Sequence, residues 1–181
     1  MLLQSKPGEI NSDIIDFHLK CIDERIYTLN DFAGDKILVI IFMCNHCPYV
    51  KAIIHRLVAI QNKYFSKGVR LIGINPNDIQ AYPEDSFENM KLFAKEYSMN
   101  FTYLIDETQK VAKQYDAVCT PDIYVFDEKR KLRYRGRIDD NWKDESLVTS
   151  RDMESAIEHL IENKEISFEQ IPSMGCSIKW R

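Results

Sequence analysis

No apolar run in this sequence approaches the ~20 residues that a membrane-spanning helix needs. The opening stretch, MLLQSKPGEINSD, lacks the basic segment followed by a long apolar one that marks a secretory leader, so a cytoplasmic protein is the expectation. Strong charge of either sign is missing too. The formal net charge is −4 and the pI about 5.6, which provides no electrostatic footprint for a nucleic acid. Neither an internal repeat nor a low-complexity segment is visible. Cysteine is sparse and odd in number: Cys21, Cys44, Cys47, Cys119 and Cys176 cannot all pair within one chain. In a reducing cytosol they would not form a static framework, and a close pair there is more often catalytic or metal-binding. A second C-x-x-C and an H-x-x-x-H are both absent, so a structural zinc would be short of ligands.

What remains is an ordinary globular composition of 181 residues, 45% hydrophobic and 29% charged, enough for the core of one domain. DFHLKCIDERIYTLNDF reads as two short strands about a turn at IDER, with Phe17, Leu19 and Cys21 alternating onto one face. KILVIIFM and VRLIGIN are continuous, β-branched apolar runs, as expected of strands covered on both faces. Between them Val50, Ile53, Ile54, Leu57, Val58 and Phe65 recur at helical steps, and Gly68 is placed to end that helix. The βαβ unit so formed should cross over right-handed. EDSFENMKLFAKEY predicts a second helix with Phe87, Met90, Phe93, Ala94 and Tyr97 as its stripe. FTYLID follows as a strand and TQKVAKQYD as a short helix. DIYVFDEKRKLRYRGRID predicts an antiparallel hairpin, whose charged edge would discourage aggregation. SRDMESAIEHLIENK is the last helix, with Ser150 as its cap. The order predicts an α/β fold, a central sheet flanked by helices.

The chemistry concentrates in FMCNHCPYVKA. Cys44 lies at the strand-to-helix turn and Cys47 in the first helical turn, on the face shared by Val50, Ile54 and Leu57. Cys47 is therefore expected to face the core and Cys44 the solvent. An exposed thiolate that attacks a disulfide, backed by a sheltered thiol that resolves it, is the arrangement of a redox pair. Unpaired N–H groups and the positive dipole end at the helix start favour a thiolate. His46, between the two, would add to this as an imidazolium. Pro48 suits the first turn, where its missing N–H costs little. A pair that merely packs and a metal site are the competing readings; Cys44, Cys47 and His46 form the donor set for soft Cu(I). His18, His55 and His159 are isolated. Trp142 and Asp139-Asp140 follow the hairpin without a motif.

Taken together, DFHL, YTLNDFAGDKILVIIF, CNHC, LIGIN, FTYLIDETQKVAKQY and CTPDIYVFD resemble the thioredoxin-fold superfamily. The similarity is to the alkyl hydroperoxide reductase/thiol-specific antioxidant group, in its peroxiredoxin-like branch. The resemblance implies a thioredoxin-like domain over residues 1–164, with a mixed central sheet, an N-terminal β-hairpin extension, and a tail at 165–181 packed on or near it. It implies a cis Pro121 facing the dithiol, with Thr120 offering backbone groups to an extended substrate strand, and Cys119 near Cys44 and Cys47. Cys119 and Cys176, the latter after Gly175, are candidate third redox thiols; buried or passive cysteines are the alternative. Departures are equally informative. Peroxiredoxins carry P-x-x-x-T-x-x-C; with Cys47 matched to their cysteine, the threonine position is Cys44 and the proline position Ile40. Their later arginine falls where this chain has Thr120-Pro121. Thioredoxin's buried acid is replaced by apolar residues, nearest Ile40. The expectation is thus a thiol–disulfide oxidoreductase without bound cofactor or metal. Cys44 would be its nucleophile, Cys47 its resolving thiol and His46 the tuning group. A protein dithiol or disulfide, or a thioredoxin-type reductant, is the expected partner, with no nucleic acid or membrane involved. A weak hydroperoxide reductase is the alternative, and a copper chaperone the more distant one.

Overall fold

A computed structural model describes residues 1–181, and its centre is the apolar run read above. β4 (Ile37–Phe42) is buried at every position, because both of its faces are covered. Its side chains alternate. Val39 and Ile41 join one core with residues of α1 (Pro48–Tyr64), α2 (Phe87–Glu96) and α4 (Asp152–Ile161). Leu38, Ile40 and Phe42 join the other, beneath Phe17, Phe32 and the short α3 (Lys110–Gln114). Each fully buried aliphatic side chain in such a strand contributes about 1.5–3 kcal/mol.

The main sheet has seven strands in the order β3-β2-β6-β5-β4-β8-β9. β5 (Val69–Asn75) runs parallel to β4, and β6 (Thr102–Ile105) parallel to β5. β8 (Asp122–Phe126) and β9 (Leu132–Arg135) form the expected antiparallel hairpin beside β4. The expected N-terminal hairpin is β2 (His18–Cys21) with β3 (Ile26–Thr28), joined antiparallel to β6. A second, three-stranded sheet has the order β1-β10-β7: β1 (Leu2–Gln4), β10 (Met174–Ser177) and β7 (Cys119–Thr120). No periodicity in the sequence announces it. It places residues from both ends of the chain beside the Thr120–Pro121 peptide bond, which is cis.

Three local expectations shift. α1 begins at Pro48, so Cys47 is its N-cap rather than a residue of its first turn; proline has no N–H to offer and takes the first helical position. The helix tightens to 3-10 over Phe65–Lys67, and Phe65 lies out in solvent beneath the Arg70 guanidinium; Val58, within α1, is only half-buried. Gly68 ends it at φ 80°, a left-handed conformation that suits glycine. Arg151, not Ser150, precedes α4; the Ser150 hydroxyl bonds the Asp152 carboxylate instead. No helix is long and apolar enough to cross a membrane.

Candidate active site

β4 ends at Phe42, and its last residues deliver the chain to the start of α1 through Met43, Cys44, Asn45 and His46. Both thiols lie here, both free, and both have 0% exposure. The expectation that Cys44 faces solvent is therefore overturned. Cys47 is the N-cap of α1, and Cys44 packs against Thr120. The Cys44 Sγ lies 3.5 Å from the Thr120 hydroxyl. As a thiol, Cys47 donates to the Thr120 carbonyl at 3.1 Å. The cis-proline loop is thus in direct contact with the pair, through the Thr120 side chain as well as its backbone.

The two sulfurs divide one proton unequally. A hydrogen bond from the Cys44 thiol favours the Cys47 thiolate most. Thr120 and the backbone N–H groups of Val50 and Cys176 add to it, and together they outweigh burial and bring Cys47 down to about 5. Cys44 moves the other way, well above the ordinary thiol range. Its bond to Cys47, its burial and the negative charge of Asp85 all keep its proton in place. Negative charge is therefore favoured on Cys47, at the positive end of a 17-residue helix, where the sequence expectation placed it on Cys44.

His46 is occupied elsewhere. Its Nδ1 lies 2.6 Å from Asp85 Oδ2, and its ring stacks on Tyr82. Asp85 is fully buried and accepts further bonds from the backbone N–H groups of Asn45 and His46 and from the Asn77 amide. Burial works against this carboxylate, yet its bonds to His46 and Asn77 hold it below its ordinary range. Asp85 in turn raises His46. Through this bond and those of the Asn45 and His46 backbone N–H groups, His46 also ties the C-x-x-C loop to Asp85. Asp85 itself gave no signal in the sequence. It lies before α2, which starts at Phe87 behind its Ser86 cap, and it reads there as an ordinary acid of a helix start.

The ligand atoms of Cys44, His46 and Asp85 fall within 4.8 Å of one another. This group differs from the copper donor set expected above, since Asp85 takes the place of Cys47, and its His and Asp already bond each other. Cys119 is buried in β7, where burial pushes its thiol up and its sulfur turns to the Pro121 carbonyl at 3.7 Å. Cys21 is buried on β2. Cys176, on β10, is half-buried and packs against the core cluster that contains Cys44 and Cys47. Trp142 does approach the site: it packs on Tyr49 with ring centroids 4.1 Å apart, and both line a cavity of about 200 Å³ with Pro121. Asp139 is buried against Arg56.

The AhpC/TSA family profile matches residues 10–135. The chloroplastic peroxiredoxin Q of Triticum aestivum is 26% identical over 126 residues, 66% of this chain and 54% of that protein, so the chain spans about half the length of this curated relative. The crystal structure of an uncharacterized conserved protein from Geobacillus kaustophilus is 44% identical with a TM-score of 0.95, covering 100% of this chain and 97% of that one. The thioredoxin domain of a thiol-disulfide oxidoreductase from Bacteroides vulgatus superposes with a TM-score of 0.61 at 20% identity, over 71% of this chain and 89% of that one, which shows a shared thioredoxin-like fold.

Proposed function

This chain belongs to the AhpC/TSA family, and from that premise we propose that it is a thiol–disulfide oxidoreductase working through Cys47 and Cys44. The observation that carries the reading is the convergence of both sulfurs on Thr120 at the start of α1, with Cys47 at the cap. The Cys47 thiolate attacks one sulfur of a substrate disulfide. A Cys47–substrate disulfide forms, and the other substrate sulfur leaves as a thiolate that takes a proton. Cys44 then gives up its proton, attacks Cys47, and releases the second substrate thiol. Two electrons pass from the dithiol to the substrate, and no bound cofactor is needed. In a reducing cytoplasm, a protein dithiol of the thioredoxin type would return the pair to its starting state. Thr120 and Pro121 guide the reacting groups.

The test is exchange with a model disulfide. Cys47→Ser should abolish it, and replacing both Cys44 and Cys176 by serine should stop it at a mixed disulfide on Cys47, seen by mass. Exchange retained in Cys47→Ser rejects the assignment. A second substrate is supported by one observation: Cys47, the cysteine matched to the peroxiredoxin position, is the thiolate. With a hydroperoxide, Cys47 would take one oxygen to become a sulfenic acid, releasing an alcohol. Cys44 would condense with it to a disulfide and water. With Cys44 in the threonine position and no arginine at Thr120-Pro121, this reaction should be slow and unsaturable in stopped flow.

A further inference from the structure

Cys47 and Cys44 are both sealed, and the element that seals them carries a thiol of its own. β10 runs antiparallel to β7 with Cys176 opposite Thr120, the residue that both buried sulfurs touch. The register is enforced by Gly175: a Cβ there would lie 2.0 Å from the Thr120 carbonyl oxygen, so only glycine lets the strand approach this closely. The edge of the cis-proline loop, where an extended substrate could add as a strand, is therefore filled by the chain itself.

β10 is also firmly held. Ser177 N–H donates to the Met1 carbonyl, Ile178 N–H to Val118, and Lys179 N–H to the Asn77 side chain. Just upstream, Ser173 and Ser5 exchange hydrogen bonds. Exposing Cys47 by peeling the strand away would break this set. Among the four cysteines around the cis-proline loop, Cys44, Cys47 and Cys119 have 0% exposure, and Cys176 alone reaches solvent.

We propose that Cys176 is a third catalytic thiol, and that its disulfide with Cys47 is the form in which an outside dithiol re-reduces the buried pair. The proposal rests on the dithiol reading above. From the Cys44–Cys47 disulfide, Cys176 attacks Cys47: the Cys44–Cys47 bond breaks, the Cys47–Cys176 bond forms, and the proton lost by Cys176 ends on Cys44, with no net oxidation. An external dithiol then attacks the half-exposed Cys176 sulfur and expels Cys47 as a thiolate. The second thiol of the partner closes the partner's own disulfide and frees Cys176, which takes a proton. Two electrons have entered the enzyme. Cys47 suits the leaving role because a low-pKa thiolate departs fastest, and Cys176, pushed up to about 11 by burial and its interaction with Cys47, does not.

The experiment uses the full chain as wild type, C176S and C44S. Each is oxidised with one equivalent of diamide, alkylated and peptide-mapped, and the rate of re-reduction by dithiothreitol is followed. The expected result is a Cys47–Cys176 disulfide in C44S, a Cys44–Cys47 disulfide in C176S, and reduction of C176S at least tenfold slower than wild type. Absence of a Cys47–Cys176 disulfide in C44S overturns the relay. So does reduction of C176S at the wild-type rate, and in that case the dithiol reading survives. Failure of C176S to form any Cys44–Cys47 disulfide overturns both. Because the C44S map does not depend on C176S, the proposal stays testable if C176S folds poorly.

Discussion

Thr120 touches both thiols, its hydroxyl against Cys44 and its carbonyl against Cys47. The bond between the two sulfurs, with burial and Asp85 acting on Cys44, leaves Cys44 as the proton holder and Cys47 as the thiolate. This split has a consequence for the reduction potential. Above pH 5 reduction of the disulfide takes up one proton for two electrons, so the potential should fall by about 30 mV per pH unit; two ordinary thiols would give about 59 mV. Equilibration against a dithiol buffer between pH 6 and 8 measures it, and the steeper slope there contradicts the assignment. Asp85 is the second decisive residue. His46 is raised by it, so the His46 contribution to stability is complete below its unfolded value of 6.5 and is lost as pH rises through the folded one. Asp85 is lowered, so its contribution is complete above 3.8 and is lost as pH falls through its folded value. The pair should therefore stabilise most between those limits. Asp85→Asn should shift the His46 titration down in NMR and flatten the stability optimum; an unmoved His46 titration would show that the pair is not formed.

At the level of elements, β10 and α1 act together. α1 supplies a positive end to Cys47, and β10 closes the space in front of it while adding a backbone N–H that favours the thiolate. Gly175→Ala sets a methyl group against the Thr120 carbonyl and should push β10 off β7. Alkylation of Cys47 by iodoacetamide, read by mass, should then quicken at least tenfold over wild type at pH 7. An unchanged rate would mean that β10 does not guard the thiol.

For the whole molecule, the two cores divided by β4 hold the scaffold, and buried ion pairs tie the peripheral segments to it. Arg56 on α1 is 4% exposed and bonds Asp139 and the carbonyls of Asn141 and Trp142. That one guanidinium pins the loop carrying Trp142 against the helix whose cap is Cys47. Arg56→Ala leaves Asp139 buried without its partner and should cost about 3–5 kcal/mol. Urea unfolding measures this, and a loss below 1 kcal/mol would show the loop to be held by other contacts. Asp122 and Arg135 form a second such pair between β8 and β9.

The apolar runs and helical stripes of this chain were enough to place β4, α1 and β5, because periodicity in a covered segment reports directly on which faces are dry. They also led to the C-x-x-C at the strand–helix junction and, through resemblance, to the cis peptide before Pro121. Which sulfur carries the charge was not legible. It depends on Thr120, Asp85 and Cys176, which lie 76, 41 and 132 positions from Cys44, and a hydrogen bond or a desolvated charge leaves no trace in local spacing. Only the tertiary fold brings β10 across the cis-proline loop, sealing a pair that its helical phase alone had assigned half to water.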